Sequence, residues 1–217
     1  MMKQKLMVLM GVILLTSMNS FGQQQISLAG KLKNNQLKIA NRNISQYGDH
    51  PEAVEMNAMK GEGLGILEDV EFANGIIEVE LLGENNPGKS FIGIAFNIQD
   101  DKTYEVIYFR PFNFVAKEQQ RKEHMVQYIF HPEFTWNKLR EERTGVFESE
   151  INNPPNPEDW FKVKIKISDE IVEVYVNEIP EPILTIDRLT STKSKKIGIW
   201  TGHNSSGRFK DLTLKAK

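Results

Sequence analysis

The chain has 217 residues, no cysteine and a formal net charge of −2, with 26% charged and 40% hydrophobic residues. The missing cysteines exclude disulfides, thiolate metal sites and a lipidated cysteine anchor. A mildly acidic chain without a basic block gives no electrostatic case for nucleic acid as a partner.

The first residues have the order of a secretory signal peptide: Lys3 and Lys5, then an apolar run over Leu6–Leu15, then small and polar residues ending in Ser20 and Gly22. The apolar run is too short to span a bilayer, and no second one occurs downstream, so no membrane span is expected once the leader is removed. The expected division is residues 1–22 as signal peptide and 23–217 as a single domain, in a secreted or periplasmic protein. Removal of two lysines leaves 195 residues at formal charge −4, enough for one substantial core.

Period-two patterning dominates the mature chain. Ile76–Leu82 sets Ile77, Val79 and Leu81 against Glu78 and Glu80. Phe91–Ile98 puts Ile92, Ile94, Phe96 and Ile98 on one face. Gly93 and Ala95 lie on the other, where a ligand or a second backbone could approach. Thr103–Arg110 alternates Tyr104, Val106, Tyr108 and Arg110 with Glu105, Ile107 and Phe109, and His124–Phe130 reads as a further strand. Asn137–Arg143 suits one or two helical turns. The proline-rich stretch 152–157 reads as a surface loop, because proline cannot donate to a ladder. Trp160–Ile167 points Phe161, Val163, Ile165 and Ile167 inward and its lysines outward. A turn at Ser168–Glu170 leads into Ile171–Val176, and short strands near 183–186, 197–201 and 208–214 complete the set. Many short strands separated by turns predict an all-β fold, a two-sheet antiparallel jelly-roll sandwich in which each sheet buries the other's apolar face.

Tyr108, Arg110, Asn113, His124, Gln127, Tyr128 and Trp136 fall close together in sequence. Aromatic rings stack on the apolar faces of sugars, while amides and a planar guanidinium bind the hydroxyl rim. The cluster is therefore the expected carbohydrate-binding site. The plainer alternative makes Tyr108 and Tyr128 core aromatics and pairs Arg110 with a carboxylate such as Glu105 or Glu123. Glu105, Glu78 and Glu80 are the candidate catalytic carboxylates. Glu78 and Glu80 stand about 7 Å apart on one strand face, a spacing open to glycosidase chemistry but also found on any solvent-facing strand. His50, His124, His131 and His203 show no metal-ligand spacing, so no metal site is expected. Asp100-Asp101 could ligate calcium, with a plain turn the simpler reading.

Three stretches resemble a known group. The segment from Asp69 to Glu80 carries a phenylalanine, a glycine and then an acidic strand. Tyr108-Phe109-Arg110-Pro111-Phe112-Asn113, with Gln127-Tyr128 and Trp136, resembles a Tyr-x-Arg-Pro-x-Asn and Gln-Tyr pattern. Trp160–Lys166, Val174–Asn177, Gly198-Ile199 and Phe209–Leu212 resemble closing strands. Together they are similar to the concanavalin A-like lectin/glucanase superfamily, and within it to the laminin-G-like bacterial domains grouped with the 3-keto-disaccharide hydrolases. That resemblance implies a concanavalin A-like sandwich and a carbohydrate partner lying in a concave groove over Tyr108, Arg110, Gln127, Tyr128 and Trp136. The function expected is that of a carbohydrate-active protein, with a glycoside-cleaving hydrolase as its catalytic version; the alternative is a non-catalytic carbohydrate-binding or laminin-G-type protein-interaction module. Two departures stand out. The alternating acidic strand of the glucanases is reduced to Glu78-Val79-Glu80, and Phe91-Ile92-Gly93-Ile94 replaces the hydrolase branch's Asn-Ser-Gly strand.

The leader pattern predicts a mature N-terminus at or near Gln23 outside the cytoplasm. N-terminal sequencing of protein from its native host checks this, and a cytoplasmic chain still beginning at Met1 would contradict it.

Overall fold

The computed structural model describes residues 22–217; the expected signal peptide, apart from Gly22, lies outside them. In chain order the strands are β1 (Gln24–Ile26), β2 (Leu37–Ala40), β3 (Ile44–Tyr47), β4 (His50–Met56), β5 (Gly63–Leu67), β6 (Gly75–Leu82), β7 (Ile92–Phe96) and β8 (Tyr104–Phe109). They continue as β9 (Val126–His131), β10 (Glu148–Ser149), β11 (Phe161–Ile167), β12 (Ile171–Val176), β13 (Leu184–Asp187), β14 (Gly198–Thr201) and β15 (Gly207–Ala216). Three short helices interrupt them: α1 (Leu28–Lys33), α2 (Gln119–Lys122) and α3 (Trp136–Glu142). The first was not expected; Ser27 caps it by accepting from the Gly30 N–H at 3.0 Å. The third falls where the sequence offered a helical turn. Among the described residues, no helix is long and apolar enough to cross a membrane.

The strands form two antiparallel sheets. One runs β13-β12-β11-β6-β15-β4-β3, with β1 also pairing on β15, and the other runs β10-β9-β8-β7-β14-β5-β2. The expected all-β, two-sheet antiparallel sandwich is therefore the fold. Its alternation is read most directly on β11. Phe161, Val163, Ile165 and Ile167 are buried, while Lys162, Lys164 and Lys166 stand opposite Glu80, Glu78 and Ile76 on the outer face. Rings from both sheets meet between them: Phe161 packs edge-on against Phe109 of β8 at 5.3 Å and against Phe114 at 5.4 Å.

This packing fixes which side of each strand is inside. Phe109 faces the other sheet, so Glu105 and Ile107, at the same parity, do too, and Tyr104, Val106 and Tyr108 face outward. Register carries the assignment across the sheet: Trp200 lies opposite Gly93, Gly93 opposite Tyr108, Tyr108 opposite Gln127, and Gln127 opposite Glu148. These five residues make one row on the outer face of the seven-stranded sheet. Gly93 sits in its middle because nothing larger fits: a Cβ there would come within 2.1 Å of the Ile107 carbonyl oxygen. With no side chain between them, the Tyr108 and Trp200 rings close to 5.1 Å.

Phe161 is 1% exposed and joins the two sheets. Phe161→Ala is expected to cost about 3–5 kcal/mol, measured by urea denaturation; a loss under about 1 kcal/mol would show that the aromatic junction is not what holds the sheets together.

Candidate functional site

A cleft of about 610 Å³ opens on the outer face of the seven-stranded sheet. Its floor is Tyr108, Ile129 and Trp200, from β8, β9 and β14. One wall is built by residues 110–124, which contribute Arg110, Phe112, Asn113, Arg121 and His124, and α3 adds Trp136 and Arg140. The opposite wall carries Phe91, Glu62, Gly202 and His203 from three loops.

The centre of the cleft is a fixed hydrogen-bond network. Tyr108 Oη donates to Gln127 Oε1 at 2.7 Å and accepts from Arg110 Nη2 at 2.6 Å. Arg110 Nη2 also donates to Gln127 Oε1, and Nη1 to the His124 carbonyl at 3.0 Å. Asn113 Nδ2 reaches that same carbonyl at 3.1 Å. The guanidinium lies 4.8 Å from the Tyr108 ring centre. Burial pushes the Tyr108 hydroxyl up to about 12 despite the nearby Arg110 charge, so it remains a neutral donor.

Glu148, with its side chain only 2% exposed, anchors the α3 side. Arg140 grips it with two bonds, Nε to Oε1 at 3.1 Å and Nη2 to Oε2 at 2.8 Å. Arg110 Nη1 stands 4.0 Å from the same carboxylate. His124 Nδ1 lies 2.8 Å from Glu148 Oε2 but out of line for a hydrogen bond. Burial pulls the His124 pKa below its ordinary value, outweighing the attraction of Glu148, so the ring is neutral at pH 7. Arg140 and Trp136, four residues apart on α3, share a face, and the guanidinium stacks 5.2 Å from the indole.

The opposite wall depends on a buried cation. Arg42, 5% exposed, donates to the carbonyls of Gly61, Thr201 and Gly202 at 2.8, 3.1 and 2.6 Å and to Thr201 Oγ1 at 2.8 Å. It thereby ties the loop carrying Glu62 to the loop carrying His203. Gly63 makes room for it, since a Cβ there would sit 2.1 Å from Arg42 Cγ. The two loops also meet directly, where His203 Nδ1 accepts from the Gly61 N–H at 3.0 Å. Glu62 accepts from Tyr104 Oη at 2.7 Å and lies 3.0 Å from His131 Nε2. Burial raises its pKa, but the imidazole and the hydroxyl together hold it below the ordinary carboxylate value, so it is ionised near neutrality.

The expected site residues divide sharply. Tyr108, Arg110, Asn113, His124 and Trp136 line the cleft, and Gln127 bonds to three of them, Tyr108, Arg110 and the Trp136 carbonyl. Tyr128 does not join them. It lies opposite the inward-facing Ile107, is fully buried, and donates to Glu105 Oε1 at 2.6 Å. Glu105 is likewise in the core. Arg188 Nε and Nη2 bind its two oxygens at 3.0 and 2.5 Å, and Asn97 Nδ2 donates to Oε2 at 2.6 Å. Glu78 and Glu80 lie on the outer face of the other sheet, where Glu80 pairs with Lys210 at 3.2 Å. The sandwich separates both from the cleft, so none of the three proposed carboxylates faces a ligand there. Arg110 pairs with neither Glu105 nor Glu123, but another buried carboxylate, Glu148, stands 4.0 Å from its Nη1, so the plainer alternative of a carboxylate partner holds in that form. Asp100 Oδ1 accepts from the backbone of Lys102 and Thr103, as in a plain turn. Among the described residues, no three His, Cys, Asp or Glu side chains gather as metal ligands.

Sequence reading missed Glu62, Phe91, Arg121, Arg140, Trp200 and His203. Arg140 could have been found four residues after Trp136, and Trp200 by extending the outward parity across the sheet. The loop residues Glu62 and His203 carry no periodic signal.

No family model matches the chain, and no curated protein matches it in sequence. Solved structures do match its backbone. A carbohydrate-binding module, CBM66 of Bacillus subtilis, aligns with TM-score 0.58 at 9% identity, over 82% of this chain and 95% of its own. The Bacillus licheniformis β-glucanase aligns at 0.50 with 12% identity, over 93% and 95%. The exoplasmic/lumenal domain of VIP36, in a form bound to Ca²⁺ and Man3GlcNAc, aligns at 0.53 with 11% identity, over 83% and 85%. The fold is that of the concanavalin A-like lectins and glucanases. At such identities the likeness concerns the fold alone.

Arg188 is 3% exposed at its side chain, so removing Glu105 leaves a buried charge unpaired. Glu105→Ala is expected to destabilise the protein by about 3–5 kcal/mol. Thermal unfolding tests this; an unchanged Tm would return Glu105 to consideration as a functional carboxylate.

Proposed function

We propose that this is an extracytoplasmic carbohydrate-binding protein whose ligand lies in the cleft on the outer face of the seven-stranded sheet. One observation carries the reading: aromatic surfaces and fixed planar donors meet at the same opening. Trp136 is 48% exposed although large apolar rings are usually covered. It stacks with Arg140 and lines the same cleft as Arg110, Asn113, Phe91 and Trp200. Such a mixture offers stacking to a sugar's C–H face and hydrogen bonds to its hydroxyls. The network around Arg110 is closed by the protein's own groups, Tyr108, Gln127 and the His124 carbonyl, so little further ordering is needed on binding. The folds of a carbohydrate-binding module and of a β-glucanase agree with the reading. The narrower likeness to the laminin-G-like and 3-keto-disaccharide hydrolase group is supported by Tyr108, Arg110, Asn113, Gln127 and Trp136, which carry it in sequence and gather at one cleft.

Binding is favoured over cleavage by paired carboxylates. That chemistry needs two carboxyl groups flanking the scissile bond. Of the residues lining the cleft, Glu62 alone carries a carboxylate, and nearby Glu148 is buried in the grip of Arg140.

A glycan array, run with and without added calcium, is expected to give hits. Trp136→Ala should weaken them at least tenfold, about 1.4 kcal/mol, with Tm unchanged because the ring is half exposed. No glycan bound, or equal affinity for the variant, would overturn the proposal. Arg110→Lys should instead lower both affinity and Tm, since lysine cannot keep the planar contacts to Tyr108, Gln127 and the His124 carbonyl.

A further inference from the structure

The charges of the cleft differ from those of the chain. The protein is mildly acidic and has twenty lysines and seven arginines, yet the cleft takes three arginines and no lysine. Arginine offers a planar fork matched to an oxyanion, whereas lysine offers a single hydrated charge. Two of the three, Arg110 and Arg140, have Glu148 near them. Arg121 is different. Its Nε donates to Asn113 Oδ1 at 3.1 Å and its Nη2 to the Phe112 carbonyl at 2.9 Å, both neutral acceptors. These bonds aim the guanidinium without neutralising it. Among the described residues, the one carboxylate within 4.0 Å is Glu118, at 3.6 Å, and both side chains are exposed. A pair of that kind is worth little and is readily exchanged.

The hydrogen-bonding groups of the cleft lean the same way. His203 Nδ1 already accepts from the Gly61 N–H, which leaves the ring's other nitrogen, Nε2, to act as a donor. Both functional atoms of Asn113 are engaged within the wall. Glu62, the lining carboxylate, already accepts from Tyr104. The cleft thus has donors to spare and few acceptors; a hydroxyl, which both donates and accepts, uses such a site only in part, whereas an oxyanion, which only accepts, matches it fully.

We infer that the cleft selects an acidic glycan, with Arg121 binding an oxyanion carried by the sugar: the carboxylate of a uronic acid or a sulfate ester. The inference rests on the carbohydrate reading and deepens it. Trp136 supplies the stacking platform for a sugar ring, and Arg121 sets which sugar is preferred. The contact is charge-assisted and partly exposed, so it weakens as salt screens it.

The test uses four probes of equal length on the mature chain by isothermal calorimetry: an oligogalacturonate, its carboxyl-reduced neutral counterpart, and a chondroitin oligosaccharide with and without sulfate. An acidic member is expected to bind at least tenfold more tightly than its neutral or desulfated partner, with the advantage shrinking between about 50 and 500 mM salt, roughly a threefold fall in Debye length. The galacturonate and chondroitin arms tell carboxylate from sulfate. Arg121→Gln should reduce the ratio of acidic to neutral affinity at least tenfold, and Arg121→Lys should recover only part of it. Circular dichroism and Tm verify that both variants fold. Equal affinity for acidic and neutral probes would overturn the acidic preference while leaving the carbohydrate reading intact. Binding of no glycan on any array would remove both. A preserved preference in folded Arg121→Gln would remove Arg121 as its source.

Discussion

A strand has two faces, and β8, β9 and β14 of the seven-stranded sheet use both. One face packs against the other sheet and the opposite face floors the cleft, so a one-residue slip would exchange core for site. In β8 the slip would send Glu105 and Phe109 into the cleft and Tyr108 between the sheets. The register is held from the core side. Phe109 meets Phe161, and Glu105 receives four hydrogen bonds from Arg188, Tyr128 and Asn97. The row from Trp200 through Gly93, Tyr108 and Gln127 to Glu148 depends on that hold, although none of its members takes part in it.

Buried charge serves two ends here. Glu105 and Arg188 form a buried, doubly bonded ion pair whose attraction is offset by the cost of removing both charges from water, so it adds little net stability while intact. It draws the segment after β13 toward β8, and Leu189 N–H adds a bond to Tyr128 Oη at 3.2 Å. Arg110 is buried differently, with no carboxylate in direct contact. Its charge is shared among a hydroxyl, an amide, a carbonyl, two ring faces and Glu148 at 4.0 Å. An arginine hydrogen-bonded by neutral groups, with its carboxylate at the edge of ion-pair distance, stays rigid while keeping part of its charge for a ligand.

The two walls of the cleft come from remote parts of the chain and need separate supports. Residues 110–125 fold back over the sheet through the turn at Pro111–Asn113 and the short helix α2, and Asn113 links Arg121 to the His124 carbonyl. On the far side, Arg42 ties together two loops that are distant in sequence by bonding their carbonyls. No carboxylate of the described residues lies within ion-pair distance of Arg42, but Glu62 attracts it across the loop. The same arginine therefore shapes that wall and influences its one carboxylate.

Fold class was legible in the amino-acid order alone, because period two is a local property: β11 declares its buried face in seven residues, and that face holds in the structure. Tyr108, Arg110, Asn113, Gln127 and Trp136 were legible too, since β8, the turn after it, β9 and α3 follow one another closely along the chain. Tyr128 and Glu105 were misjudged: their parity was knowable, but not which parity faced the core. Both faces of β8 are fully buried, so composition could not separate them. The packing of the two sheets settled the matter, by setting Phe109 against Phe161. Glu62, Trp200 and His203 likewise had to await the assembled sandwich, because its strand order brings together residues far apart in sequence, and no local pattern encodes a contact made across two loops.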